Sequence, residues 1–459
     1  MRTSDATTLR LNDTVNQQKS HAFWLFWSGL GARSPIRLDD STLLLGRGEA
    51  GVGQLDFPGV SRRHAEVSRQ GPLYTIRDLG STNGTFLNGE RIQGSALSEG
   101  DVLRLGDAVA VVLRVRDELA PPRVEEPIPG VLFGPGLNEL LASVRRLASD
   151  DLPIVIEGAT GVGKEGMARA LHELSGRKGA LQAVNCGALP PNLAEAELFG
   201  HRKGAFTGAE QAGLGHVRAA HQGTLFLDEL YDLAPAVQTK LLRVLQDKQV
   251  LPLGETRSVP VDVRVVAASL VPLSELVTRG RLREDLAARL AGMSLVVPPL
   301  AVRRADIPVL LAHFLREHSG GRAPAVDGKL LEHLLLRPWP GNVRELQLLA
   351  RRLLALYGHE PVLRRSMVEA EPVAAGGEPK ARAPQRRGVE DAESDLQRFR
   401  ECLQKHGNVS RAAQEAGISR QRAYRLLAGR SPRDLLDAGP ELAAELASEL
   451  EGPGSRDDD

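Results

Sequence analysis

Residues 152–165 read Leu152-Pro153-Ile154-Val155-Ile156-Glu157-Gly158-Ala159-Thr160-Gly161-Val162-Gly163-Lys164-Glu165. The β-branched run at 152–156 predicts a buried strand. Glycines then break it, and 167–174 has the composition of a helix. Strand, glycine-rich turn and helix, in that order, make a phosphate cradle. The glycines let backbone N–H groups face the phosphates, Lys164 adds a point charge, and the helix N-terminus adds its dipole. Gly158, Thr160, Gly161, Val162, Gly163, Lys164 and Glu165 are therefore the candidate nucleotide-binding residues. The general motif places Ser or Thr, a magnesium ligand, where Glu165 stands.

Working outward, 138–149 has helical apolar spacing, and Gly223-Thr224-Leu225-Phe226-Leu227-Asp228-Glu229 gives a second buried strand ending in two carboxylates. Asp228 can hold Mg2+, directly or through water, and Glu229 can polarise an attacking water. Such a site works by positioning and electrostatics with little covalent chemistry. Between the two strands lies Glu197-Leu198-Phe199-Gly200-His201-Arg202-Lys203-Gly204-Ala205-Phe206-Thr207-Gly208-Ala209. Its small residues let the backbone turn sharply around one aromatic and one hydroxyl. It reads either as a surface loop whose Phe folds back onto the core or as a finger offering Phe206 and Thr207 to a partner. Its place between cradle and acid pair favours the finger.

From 131 to about 360 the chain resembles the AAA+ domain of sigma-54-dependent transcriptional activators, the bacterial enhancer-binding proteins. In that family the phosphate loop ordinarily ends Gly-Lys-Glu, and 204–209 matches its sigma-factor-contacting loop without a change. The resemblance implies ATP hydrolysis by a ring, hexameric in the family's manner, acting on sigma-54 RNA polymerase. It implies that Asn185 holds Glu229 until nucleotide and target are engaged. Arg283 and Arg289 fall where the family places arginines that reach the γ-phosphate from a neighbouring subunit. Arg344, in Trp339-Pro340-Gly341-Asn342-Val343-Arg344-Glu345-Leu346, matches a sensor arginine of the helical lid, with Asn342 as expected helix cap. The sequence also departs from the family. Ser269-Leu270 stands at the Thr-Asn sensor, Leu282 replaces a Phe, Ala287-Ala288 an aromatic pair, and Ala301-Val302 a charged pair. These changes bear on hydrolysis and sensor coupling more than on nucleotide binding.

Residues 20–117 alternate short apolar runs with turn signals, the pattern of an all-β sandwich. Its loops, Gly46-Arg47, Ser61-Arg62-Arg63-His64, Gly80-Ser81-Thr82-Asn83-Gly84-Thr85 and Asn88-Gly89, are rich in oxyanion donors. They resemble those of a forkhead-associated domain. The resemblance implies a phosphothreonine-peptide site at Arg47, Ser61, Arg62, Thr82 and Asn83, braced by His64, and a Ser/Thr kinase as the source of the signal. Residues 118–130 are Pro-rich and charged and are expected to be a semi-rigid linker.

Residues 301–370 read as the helical lid and 371–389 as a flexible connector. Within 390–430, two short helices joined by a glycine turn match a DNA-binding helix-turn-helix and resemble the Fis-type module of the same activators. Ser419, Arg420, Gln421, Arg422 and Arg425 are its groove candidates, and an upstream DNA site is the expected target. The tail, 431–459, is acidic and carries no functional reading, and 1–19 is a polar extension.

The whole chain bounds these readings. Its 459 residues allow roughly three domains of ~100–200 residues. Its 58 basic and 58 acidic side chains balance, so any nucleic-acid surface is a local patch. Two cysteines, Cys186 and Cys402, argue against a disulfide framework. The polar start lacks a signal-peptide core, and Phe23-Trp24-Leu25-Phe26-Trp27 is shorter than the ~20 residues a membrane span needs. A cytoplasmic, multidomain ATPase follows: β-sandwich, α/β AAA+ domain with helical lid, and all-α helix-turn-helix. Its expected cofactors are ATP and Mg2+. The other reading is a DNA-bound phosphopeptide adaptor or repressor with weak or no hydrolysis.

Overall fold

A computed structural model describes residues 21–28, 34–48, 51, 53–71, 73–116, 120–369 and a few positions between 398 and 416. The chain divides into two units, 1–371 and 372–459. The helix-turn-helix reading, with Ser419, Arg420, Gln421, Arg422 and Arg425, lies outside the described residues.

Ten strands build the amino-terminal sandwich: β1 (His21–Ser28), β2 (Ile36–Leu38), β3 (Leu43–Leu45), β4 (Ala65–Gln70), β5 (Leu73–Asp78), β6 (Thr85–Leu87), β7 (Glu90–Ile92), β8 (Gly94–Leu97), β9 (Val102–Leu105) and β10 (Ala108–Arg116). They form an antiparallel sheet in the order β2-β1-β10-β9-β6-β7 and a second in the order β3-β4-β5-β8. Leu25, Trp27, Leu45, Val67, Ile76, Leu103 and Leu105 fill the space between them. The alternate residues Phe26, Val102, Val109 and Val111 point out of the sandwich yet are also buried, in a different core. Sheet residues alternate faces, so both faces of β9 and β10 are covered.

The expected linker is shorter than 118–130. Within it β11 (Glu125–Ile128) pairs antiparallel with β12 (Val131–Phe133), and both lie against the helix of the phosphate loop. Ile128, Val131 and Phe133 belong to that helix's core. A proline-rich composition hid a hairpin with a buried face.

Five parallel strands follow: β13 (Ile154–Glu157), β14 (Leu181–Asn185), β15 (Thr224–Asp228), and, after the short pair β16 (Gln249–Val250) and β17 (Val259–Pro260), β18 (Arg264–Ser269) and β19 (Met293–Val296). Their order is β14-β15-β18-β13-β19. Ile154, Ile156, Phe226 and Val266 face α1 (Asn138–Ala148) and α2 (Lys164–Ser175). Val155, Leu225, Leu227 and Val265 face the other layer, where α3 (Ala194–Phe199), α4 (His216–Ala219), α5 (Pro235–Asp247), α6 (Leu273–Thr278) and α7 (Glu284–Leu290) lie. Burial on both faces explains why these strands read as continuous apolar runs.

The lid comprises α8 (Asp306–His318), α9 (Gly328–Leu336), α10 (Asn342–Tyr357) and α11 (Arg365–Glu369), with the short parallel pair β20 (Ala325–Val326) and β21 (Val362–Leu363). Leu310, Leu311, Leu330, Leu334, Leu346, Leu349 and Leu353 form its core around Trp339, whose Nε1 donates to the Leu334 carbonyl at 2.8 Å. Among the described residues no helix is long and apolar enough to cross a membrane.

Candidate functional site

The carboxyl ends of β13, β15 and β18 converge at the phosphate loop, where ligands of open parallel sheets sit. Gly158 N donates to Ser269 O at 3.1 Å, joining the ends of β13 and β18. Gly161 and Gly163 have φ of +75° and +106°, a left-handed backbone that a side chain would strain. A Cβ on Gly161 would stand 2.4 Å from Gly341 O, so glycine there also admits the lid. Lys164 Nζ donates to Gly158 O (2.8 Å) and Ala159 O (3.2 Å), which holds the ammonium inside the loop. Burial pulls its pKa below the ordinary lysine value, while Asp228 and Glu229 pull it up and Arg344 pushes it down. Cradle, acid pair and lid arginine thus meet in one electrostatic neighbourhood.

Glu229 sits directly after β15 in a left-handed conformation, φ 56°, ψ 47°. Such a backbone in a non-glycine residue is a strain that surrounding structure must hold, and it is frequent at functional sites. The negative charge here is concentrated. Burial, with Asp228, Asp232 and Glu229 pushing the same way, raises the Cys186 thiol to about 12. Among the described residues no cluster of three or more His, Cys, Asp or Glu is arranged to hold a metal alone. Asp228 fits a Mg2+ that relies on phosphate oxygens for its remaining ligands.

Three expectations come out differently. The Asn185 Oδ1 accepts from Gly187 N (2.9 Å) and Ala188 N (3.1 Å), capping its own turn. It lies opposite Asp228 in the sheet register and is not hydrogen-bonded to Glu229 in this structure. The Ser269 hydroxyl is buried and donates to Val271 O at 2.6 Å, so it faces its own turn. Asn342 is no cap. It is the first residue of α10, with φ 53°, and Gly341 precedes it without a side-chain cap. Its Nδ2 donates to Thr160 O (2.9 Å) and its Oδ1 accepts from Leu300 N (2.8 Å). Val343 N adds a bond to Gly161 O at 2.9 Å. Asn342 therefore clamps lid to phosphate loop, and Arg344 on the next residues of that turn lies exposed beside Gly161.

A second link was not foreseen. The Arg303 guanidinium donates to Val162 O at 2.6 Å and pairs with Asp306, whose Oδ1 accepts from Gly136 N at 2.8 Å. Nothing in Val302-Arg303-Arg304-Ala305-Asp306 distinguishes this buried pair from a solvated one.

Arg283 and Arg289 are exposed. Arg283 forms a two-bond pair with Asp285 (3.0 and 2.7 Å), and Arg289 donates to Leu245 O at 3.3 Å. Neither bonds to Lys164, Asp228 or Glu229. Glu165 is exposed at the start of α2. In the finger, Gly204 N donates to Ala209 O (2.8 Å) and Ala209 N to Phe206 O (3.0 Å), closing a tight loop. Thr207 is exposed at its tip. Phe206 is half-buried, its ring 5.0 Å from that of His201, so the aromatic is parked on its own base.

On the sandwich, Arg47, Ser61, Arg62, Thr82 and Asn83 line one open pocket of about 320 Å3 with Gly59 and Val60. Backbone bonds from Arg47 N to Ser61 O (2.9 Å) and Gly48 N to Arg62 O (3.1 Å) set its walls. Ser61 Oγ accepts from Thr82 N at 3.1 Å, and Asn83 Nδ2 donates to Gly59 O at 2.8 Å. His64 is fully buried. Its Nδ1 accepts from Ser61 N (3.1 Å), leaving Nε2–H to donate to Gly84 O (3.2 Å). Burial lowers its pKa against the pull of Gly84 and Asp78, and its two bonds tie the Ser61 loop to Gly84. Asp78 was missed. It accepts from Gly80 N, Ser81 N, Ser81 Oγ and Thr85 Oγ1, at 2.6–2.9 Å. Burial raises its pKa, but these bonds outweigh that and hold it at about 2. An Asp two residues before a Gly-Ser turn is the signal that could have found it.

Residues 133–296 match the Sigma-54 interaction domain family, 43–106 the FHA domain family and 301–384 the AAA+ ATPase lid domain family. The chain is similar to the C4-dicarboxylate transport transcriptional regulatory protein DctD of Rhizobium meliloti, 40% identical over 311 residues, 66% of this chain and 65% of that one. It is 37% identical to the transcriptional regulatory protein ZraR of Klebsiella oxytoca, over 67% of this chain and 72% of that one. It is 40% identical to the sigma54-dependent transcriptional activator SfnR of Pseudomonas putida, over 63% of this chain and 85% of that one. The chain spans less than two thirds of the length of DctD and of two NtrC proteins that it also resembles. It belongs to the sigma-54-dependent transcriptional activators, carrying an FHA domain ahead of the AAA+ domain.

Proposed function

We propose that this chain is an ATPase that binds an upstream DNA site through its carboxyl-terminal region and remodels sigma-54 RNA polymerase through the finger at 204–209. The observation that carries the reading is the convergence, at the open ends of a parallel sheet, of the phosphate loop that holds Lys164, the carboxyl end of β15 with Asp228 and Glu229, and the lid at Asn342. Lys164 and the phosphate-loop amides would bind the β- and γ-phosphates of ATP, Asp228 would hold Mg2+, and Glu229 would orient water. Bound Mg2+ supplies charge neutralisation at the transferring phosphoryl group. Arg283 and Arg289, unconnected to this chain's own cradle, suit a role in the neighbouring subunit's site, hence a ring. The sandwich pocket would bind a phosphothreonine peptide through Arg47 and Arg62, with Ser61, Thr82 and Asn83 fixing its frame. The test is ATP turnover with and without sigma-54. Turnover that needs Mg2+ supports the motor.

One observation favours a second reading, a DNA-bound phosphopeptide adaptor with weak hydrolysis. The Ser269 hydroxyl is spent on Val271 O, which leaves the sensor position without a side chain turned to the nucleotide. Absent turnover, with phosphopeptide binding retained, would support it.

A further inference from the structure

The outer face of the sandwich is not a free surface. Phe26, Val102, Val109 and Val111 share a core with Leu330, Leu331, Leu334 and Leu335 of the lid. Inside this contact Arg104, on β9, donates to Glu332, on α9, at 2.8 Å, and the two residues are only 6% and 5% exposed. The guanidinium also lies 3.9 Å over the Phe86 ring. An ion pair this dry resists separation, because undocking by partial opening would strand each charge in an apolar setting. Arg304 of the lid adds a bond to Gly100 O at 2.7 Å.

Three backbones are stacked at the edge of this contact. Gly59, in the wall of the sandwich pocket, meets Gly106, in the turn between β9 and β10: a Cβ on Gly106 would lie 2.5 Å from Gly59 C. The adjacent Asp107 N donates to Pro58 O at 3.0 Å. Asp107 in turn meets the start of α9: a Cβ on Gly328 would lie 2.6 Å from Asp107 Cα, and Gly328 N donates to Asp107 Oδ1 at 3.3 Å. From α9 the Trp339 bond to Leu334 O leads to α10, where Asn342 holds the phosphate loop. Closely packed backbones transmit small displacements because no compressible space lies between them.

We propose that sandwich and lid move as one body, and that the sandwich pocket and the nucleotide cradle are energetically coupled through the Gly59, Gly106 and Gly328 contacts. The coupling rests on the proposed reading for nucleotide binding at the cradle and for the identity of the ligand in the sandwich pocket; measured ADP affinity reports on the first separately. A lid that shifts on nucleotide binding carries the turn at Gly106 with it, and that turn bears on Pro58 and Gly59, which lead into the pocket wall at 59–62. The effect is reciprocal: whatever occupies the pocket changes nucleotide affinity by the same factor. Phosphopeptide control would then act within a single subunit, at the lid.

Amide hydrogen exchange on the full chain tests this, with ADP as the probe. Saturating ADP should change exchange at 59–62 and 105–108 at least threefold. Gly328→Ala, which adds a Cβ against Asp107, should abolish that response while ADP still binds with unchanged affinity. Asp107→Ala, which removes the acceptor without adding bulk, should weaken it too, and it serves if the first variant folds poorly. No ADP response at these segments in the unmodified chain, or a full response in both variants, overturns the coupling. Capture from a randomised phosphothreonine-peptide pool, with Arg47→Ala as control, reports separately on the ligand. Failure there with the exchange response intact removes the phosphopeptide and leaves the coupling standing.

Discussion

The pocket on the sandwich and the cradle on the parallel sheet both gather oxyanion-binding groups, and they do so by unlike means. The pocket uses side chains on three loops, each fixed by its own local bonds: Ser61 to Thr82, Asn83 to Gly59, and Asp78 beneath the turn. It is complete within one small domain. The cradle uses backbone amides and one lysine, and it is finished by groups from elsewhere, Asn342 and Arg344 of the lid. A site built from local loops is preformed and specific. A site closed by a second element can be opened, and so regulated.

That contrast can be broken or sharpened by substitution, from the largest effect to the smallest. Glu229→Gln keeps the shape of the cradle and removes the carboxylate proposed to orient water. ATP turnover should fall ~10²–10⁴-fold with nucleotide affinity nearly unchanged, measured by steady-state hydrolysis beside equilibrium binding. Arg47→Ala removes a charged donor from the preformed pocket. Phosphothreonine-peptide affinity should drop ~10–100-fold by calorimetric titration, with ATP turnover in the absence of peptide unchanged. Asn342→Ala attacks the closure of the cradle. It orphans Leu300 N and places Ala at φ 53°, so thermal unfolding should report a loss of about 2–4 kcal/mol, with the KM for ATP raised about tenfold.

The smallest effect concerns Asp78. Its pKa lies below the ordinary carboxylate value, so its contribution is present above about pH 4 and is lost as pH falls towards 2. Asp78→Asn should cost about 1–2 kcal/mol at neutral pH and lower peptide affinity a few-fold. It should also flatten the acid limb of the stability profile followed by circular dichroism.

Both sites were legible in the sequence, and the contacts that join them were not. Arg47, Ser61, Arg62, Thr82 and Asn83 are scattered along the chain, yet all line one pocket, because each sits in a short loop whose turn chemistry fixes it. The phosphate loop and Asp228-Glu229 were equally plain, since strand-turn-helix and apolar-strand-acid patterns are local. What joins the parts was not. Arg104 in Val102-Leu103-Arg104-Leu105 reads as a strand residue turned to water, whereas the lid covers it. The unbroken apolar run at 108–113 was the available sign that both faces are buried. Asn342 was read as a cap because Pro-Gly before a helix ordinarily predicts one, and its partners Thr160 and Leu300 are distant in sequence. The finger was read as favouring display, and its two residues differ: Thr207 is exposed, while Phe206 is half-buried against His201.

The central claim is that ATP hydrolysis drives polymerase remodelling through that finger. The most direct measurement is Thr207→Ala assayed in parallel for ATP turnover and for ATP-dependent open-complex formation by sigma-54 polymerase. The account predicts turnover within about twofold of the unmodified chain and loss of open complexes by ~10-fold or more, since Thr207 touches neither Lys164 nor Glu229. Normal open-complex formation by this variant would contradict it.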